Sequence, residues 1–153
     1  MTIQRTNSAI TLQFSSTTVQ LKPTGFLIGD YEISMPGEYD LGSVGFDVGE
    51  GYGVLHGDGL HVLVVEPTHP RLSADTITAL EDISLVVTPS DADAERRRSI
   101  ASLLNNLEPR GVVVIGTAED AKNLTGTAVE PQAKLKIQAT DLVGDELRVW
   151  TIA

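Results

Sequence analysis

The chain has 153 residues, 41% of them hydrophobic and 21% charged, which is typical of a globular protein with a buried core and excludes wholesale disorder. A formal net charge of -10 disfavours nucleic acid and anionic membrane surfaces as partners, because their phosphates would be repelled. The absence of cysteine excludes disulfides, thiolate metal sites and a cysteine nucleophile. Neither a signal-peptide pattern nor an apolar run of about 20 residues is present, so we expect a cytoplasmic protein. The length predicts one domain, 1–153.

The first 66 residues are predicted to form β-strands almost throughout. Short segments alternate apolar and polar residues with a period of two, and glycine, proline or serine separates them. The predicted strands are 10–14, 17–21, 26–28, 31–34, 38–41, 43–48, 53–56 and 60–65. Gly57-Asp58-Gly59 predicts a hairpin turn, and Pro36-Gly37 predicts a sharp corner between two strands.

Beyond residue 66, predicted strands alternate with helices. The apolar runs 83–87 and 112–115 are typical of strands buried on both faces. Helices are predicted at 73–80, 91–106 and 117–124, and the second has an apolar stripe at Ile100, Leu103, Leu104 and Leu107. The segments 135–139 and 146–152 alternate again and predict a closing hairpin around Gly144-Asp145.

The segment Pro36-Gly37-Glu38-Tyr39-Asp40-Leu41-Gly42 resembles the P-G-E-Y-E-I-G motif of a branch of the metallo-β-lactamase-fold proteins. That branch comprises zinc-dependent hydrolases related to the bacterial L-ascorbate-6-phosphate lactonases. Further segments resemble the family in the same order: D-G-L-H-V at 58–62, L-S-A-D at 72–75, L-E-D-I-S-L-V-V at 80–87, L-E-P-R at 107–110 and E-P-Q-A-K-L at 130–135. The resemblance covers 31–152. It implies an α+β fold, an αββα sandwich of two mostly antiparallel or mixed β-sheets with helices outside.

The metal-binding motifs of that family are missing from this chain. Its hydrolytic members hold one or two metals through an H-x-H-x-D-H loop, a later histidine, an aspartate and a C-terminal histidine. No H-x-H-x-D-H occurs here, and 26–30 runs almost directly into the Pro36-Gly37 corner, as if a block had been deleted. In the motif alignment Pro67 stands in place of the family's aspartate and Gly116 in place of its last histidine. The resemblance therefore implies a truncated, degenerate relative with no catalytic, cofactor-binding or metal site.

The histidines leave an alternative open. His56, His61 and His69, together with Asp58 and Glu66, would supply ligands for a rebuilt metal site in a residual hydrolase of a small ester, lactone or phosphoester. The competing interpretation is that His56 and Asp58 flank a polar hairpin turn. Arg96-Arg97-Arg98, in an acidic helix, favours a solvated face with local ion pairs over an anion site.

The first functional hypothesis is a non-catalytic, metal-free protein that acts through binding or self-assembly, as a homodimer or a larger oligomer. A block deleted from a two-sheet sandwich should expose sheet edges or apolar surface, and a partner usually covers such surface. An isologous homodimer is the simplest arrangement that does so. The residual hydrolase is the second hypothesis, and binding of a small metabolite in a cleft between the sheets is the third.

Overall fold

A computed structural model describes residues 1–6, 9–23, 25–66, 72–90 and 93–153. Within these residues the strands are β1 (Thr2–Thr6), β2 (Ala9–Gln13), β3 (Thr18–Leu21), β4 (Phe26–Ile28), β5 (Tyr31–Ile33), β6 (Gly37–Asp40), β7 (Gly45–Gly49), β8 (Tyr52–Gly57), β9 (Leu60–Val65), β10 (Leu85–Pro89), β11 (Gly111–Ile115), β12 (Lys134–Lys136) and β13 (Arg148–Ile152). The helices are α1 (Ala74–Ala79), α2 (Ala94–Leu107) and α3 (Ala118–Thr125), with a 3-10 helix at Ala139–Leu142.

The strands form two sheets. The first has six strands in the order β12-β1-β2-β3-β4-β5, and every neighbouring pair is antiparallel. The second has seven strands in the order β13-β11-β10-β9-β8-β7-β6. Its strands from β13 to β9 are parallel, and those from β9 to β6 are antiparallel. The α+β architecture of antiparallel and mixed sheets is as predicted.

The main core lies between the two sheets. The alternation of apolar and polar residues places one side of each strand in this core, as in Ile3 and Leu12 of the first sheet and Leu55 of the second. The rings of Phe26 (β4) and Phe46 (β7) meet edge to face, with centroids 4.8 Å apart. A Cβ on Gly53 would lie 2.6 Å from Phe46 and 2.8 Å from Phe26, so the missing side chain makes room for this aromatic pair.

A second apolar cluster joins the helices to the other face of the second sheet. Ile100, Leu103 and Leu104 of α2 are buried there against strand residues such as Val86 and Val112, which confirms the predicted stripe. Helix α2 begins after the N-cap Asp93 and not at residue 91, which lies outside the described residues. No helix in the described part of the chain is long and apolar enough to cross a membrane.

The predicted closing hairpin is wrong. β12 pairs with β1 in the first sheet, whereas β13 pairs with β11 in the second, and the 3-10 helix Ala139–Leu142 lies between them. Leu135 and Ile137 are buried in the core from the side of the first sheet, and Ile152 is buried from the other side. A period of two specifies which face of a strand is buried but not which strand pairs with it.

The Pro36-Gly37 corner is confirmed as a break between two strands, and it has a larger role than predicted. β5 is the edge strand of the first sheet, and β6 is the edge strand of the second. The corner therefore carries the chain from one layer of the sandwich to the other. β1 was not predicted, because its sequence, T-I-Q-R-T, contains a single large apolar residue.

Candidate functional site

The carboxyl ends of β9, β10 and β11 lie side by side in the parallel part of the second sheet. Glu66, Ser90 and Gly116 follow these three strand ends directly. Sheets with parallel strands usually bind their ligands at this edge, and Gly116, the position aligned with the family's last histidine, lies at the same edge. Pro67 lies outside the described residues. This edge is the candidate site.

Gly116 is closely surrounded. A Cβ built on it would lie 2.5 Å from Ser90 Oγ, 2.8 Å from Ser90 Cβ and 2.6 Å from Asp120 Oδ2. Its φ lies outside the left-handed region, so the contacts, and not the backbone conformation, oppose a side chain here. The space in which a histidine side chain would begin is filled by a serine and an aspartate.

Asp120 is engaged by its own helix. Its Oδ2 accepts hydrogen bonds from the backbone N–H of Thr117 at 2.7 Å and from Thr117 Oγ1 at 2.8 Å, and Thr117 Oγ1 accepts from the backbone N–H of Asp120 at 3.2 Å. This capping box begins α3. The hydrogen bond from the backbone N–H of Thr117, and then the one from its hydroxyl, lower the pKa of Asp120 below its ordinary value. They outweigh the burial, which raises the pKa, and a hydrogen bond from Ser90 and the charge of Arg97 lower it further. The carboxylate is thus an ionised helix cap.

A cationic side chain lies at the end of β9. Arg96, in the first turn of α2, donates from Nη2 to the backbone carbonyl of Glu66 at 2.6 Å. The turn itself is capped by Asp93, whose Oδ1 accepts from the N–H of Glu95 at 2.8 Å and of Arg96 at 3.3 Å. A guanidinium held against the end of β9 makes this edge less favourable for a divalent cation, because like charges repel.

The structure brings two of the candidate histidines together. His56 on β8 and His61 on β9 are paired across the strands, and their ring centroids lie 4.5 Å apart. Asp47 on β7, which the sequence analysis did not single out, places its Oδ2 3.3 Å from His56 Nε2. Gly45 is opposite His56 in the β7–β8 hairpin, and Asp47, two residues further along β7, lies on the same face of the sheet. The strand pattern at 43–48 and 53–56 was the signal that could have identified Asp47.

Asp58, another member of the hypothetical rebuilt metal site, lies away from the two histidines. Asp58 points towards the first sheet, where its carboxylate accepts from the N–H of Ser15 at 3.1 and 3.3 Å and lies 3.4 Å from the amino group of Met1. Burial raises the pKa of Asp58, but the hydrogen bonds from Ser15 and the Met1 charge outweigh it, and the net shift is downward.

Glu66 is five residues beyond His61, about 16 Å along an extended strand. His69 lies outside the described residues. Among the residues that the structure does describe, no three histidine, aspartate or glutamate side chains are arranged to hold a metal ion. The described residues therefore do not assemble the rebuilt metal site.

An open groove of about 1090 Å³ lies between α1 and α2. Its lining mixes apolar residues such as Ile77 and Leu80 with polar ones such as Arg98 and Asn106. It does not coincide with the cleft between the sheets, which was the location expected for a small metabolite.

The sequence matches no family model and no curated protein. Among solved structures, a proposed Zn-dependent hydrolase of the metallo-β-lactamase superfamily from Thermotoga maritima superimposes with a TM-score of 0.71. The superposition covers 99% of this chain and 100% of that chain, at 12% sequence identity. The chain has the metallo-β-lactamase fold. The predicted fold class is therefore confirmed, while the branch within the superfamily and the loss of its metal site stay predictions.

Proposed function

We propose that this protein is a non-catalytic, metal-free form of the metallo-β-lactamase fold that acts through binding and self-association. The observation on which the proposal depends is the filled position at Gly116. A ligand side chain there would overlap Ser90, which directly follows β10, and Asp120, in the first turn of α3. Restoring the histidine would require both neighbours to move.

The charges around this edge support the same proposal. Asp120 is committed to the cap of α3, and Arg96 binds the end of β9. A hydrolytic metal centre needs several nitrogen and oxygen ligands that converge on one point, with an open position for water. The Asp120 carboxylate and the Arg96 guanidinium are instead engaged with groups of the protein itself.

A hydrolysis assay tests the proposal. Untagged protein is incubated with Zn²⁺ or Mn²⁺ and with a chromogenic ester, a lactone and a phosphodiester, and the rates are compared with those of metal alone. We expect no protein-dependent rate. A rate proportional to protein concentration and lost in both His56→Ala and His61→Ala would overturn the proposal in favour of a residual hydrolase. A rate that is lost in Gly116→Ala but kept in both histidine variants would also overturn it, because the activity would then lie at the carboxyl ends of β9, β10 and β11.

A further inference from the structure

Each end of the sandwich carries one edge strand from each sheet. At one end, β5 and β6 are joined by the corner at 34–36. At the other end are β12 and β13, and a bridge from Gln132 to Ile152 connects the chain before β12 to β13. Edge strands present unpaired N–H and C=O groups that can pair with another chain.

The edge strands β5 and β12 carry opposite charges. The exposed side chains of Glu32 on β5 and Glu38 on β6 are acidic, whereas Lys134 and Lys136 on β12 are basic and exposed. Within the described ranges, Glu32, Lys134 and Lys136 form no ion pair. In the second sheet Arg148 on β13 adds positive charge, part of which Asp141 neutralises at 3.7 Å.

The large apolar side chains that are exposed among the described residues also divide between the ends. Tyr31 (79% exposed) and Met35 (72%) lie at the acidic end, on β5 and in the corner. Val143 (80%) and Leu147 (44%) lie at the basic end, between the 3-10 helix and β13. Each end therefore combines edge strands, charged side chains on those strands and exposed apolar side chains, which is typical of an interaction surface.

The strand directions of the first sheet allow its two edges to pair with each other in neighbouring copies. Five successive antiparallel pairings join its six strands, so β5 and β12 run in opposite directions. A second copy placed beside β5 would present β12 antiparallel to it and continue the sheet. On the core side Ile33 would align with Leu135, since both are buried in the intersheet core, and on the outer face Glu32 would lie next to the lysines.

Pairing of like edges is less favourable. Two copies of β5 joined around a two-fold axis would place Glu32 opposite Glu32, and two copies of β12 would bring lysines together. Like charges directly opposite each other destabilise a strand pair. The charges therefore favour unlike edges over the isologous homodimer expected from the sequence.

We propose that copies of this protein associate head to tail, with β5 of one copy pairing antiparallel with β12 of the next. The proposal rests on the proposed function, in which the protein acts through self-association, and it names the surfaces. A heterologous contact of this kind gives an open series and not a closed dimer. Six strands at their usual spacing set a repeat of about 29 Å per copy.

Sedimentation velocity on the full, untagged chain over a wide concentration range tests the proposal. We expect the average mass to rise past that of a dimer at low salt and to fall at high salt, because salt screens exposed charges. Glu32→Lys makes both edges of the first sheet basic, and Lys134→Glu combined with Lys136→Glu makes both acidic. Each change should weaken association by about tenfold. An equimolar mixture of the two variants should restore association, since every contact then joins opposite charges.

Glu81→Lys, an exposed charge reversal away from both ends, is the matched control and should behave like the wild type. The proposal is overturned if the wild type stays monomeric, if its mass stops at a dimer, if Glu81→Lys weakens association equally or if the mixture does not restore it. A monomer without hydrolase activity would end this inference and leave the non-catalytic proposal standing. A metal-dependent activity would end the non-catalytic proposal without changing the result of the mixing experiment.

Discussion

Gly116→Ala should destabilise the protein measurably, although it adds a single methyl group. The new Cβ would lie 2.5 Å from Ser90 Oγ, whereas ordinary contact begins at 3.4 Å, so its neighbours must move by up to about 0.9 Å. Asp120 can move only by loosening its bonds to Thr117, which cap α3. Overpacking of this kind typically destabilises by about 1–3 kcal/mol, and loss of a helix cap by about 0.5–2 kcal/mol. We expect a total of about 2 kcal/mol, since the two effects share the same displacement.

Urea unfolding followed by circular dichroism measures this difference, with Gly45→Ala as the matched control. Gly45 also has φ outside the left-handed region, but a Cβ there would meet nothing closer than His56 at 3.8 Å. Gly45→Ala should therefore be neutral or stabilise by up to about 1 kcal/mol, through the lower entropy of the unfolded chain. If Gly116→Ala were as stable as Gly45→Ala, the position would be open, and our steric argument against a ligand side chain would be wrong.

Two further changes test the packing and the charges. Thr151→Val should stabilise the protein by about 1 kcal/mol, because the buried Thr151 Oγ1 has no hydrogen-bond partner among the described residues. Thr88→Val is the control. The hydroxyl that it removes donates to the carbonyl oxygen of Pro89 at 3.2 Å, so no gain is expected. A gain in both variants, measured by urea unfolding, would contradict this. Asp120→Asn should reduce the pH dependence of stability. Because the pKa of Asp120 is lower in the folded protein than its ordinary value of 3.8, its carboxylate stabilises the fold at pH values above 3.8. This contribution is lost as the pH falls through the lowered pKa. Equal acid sensitivity of wild type and variant would refute it.

Local turn chemistry was the most predictable part of the fold. Asp58 and Gly59 both adopt positive φ, 53° and 74°, and connect β8 to β9 as the Asp-Gly pair predicts. Because a two-residue turn sets the register, the pairing of His56 with His61 followed from the sequence as well. The segments 135–139 and 146–152 have similar alternation but belong to different sheets. Their partners, β1 and β11, are distant in sequence, and no turn connects them directly.

The candidate site was predictable in position but not in content. Motif alignment pointed to Gly116 at the end of β11. What fills the space beside it comes from the end of β10, through Ser90, and from α3, through Asp120. The contact between these elements depends on the three-dimensional packing of the helix against the sheet, which no periodicity encodes. The separation of Asp58 from His56 has a similar origin, because its partner Ser15 lies in the turn between β2 and β3 of the other sheet.

The measurement that tests our central proposal most directly is the metal content of freshly purified, untagged protein, determined by elemental analysis without chelators. We expect zinc, manganese, iron and nickel each far below one atom per chain, because Gly116 leaves no room for a ligand and Asp120 and Arg96 are engaged with the protein itself. One tightly bound metal per chain would contradict the proposal.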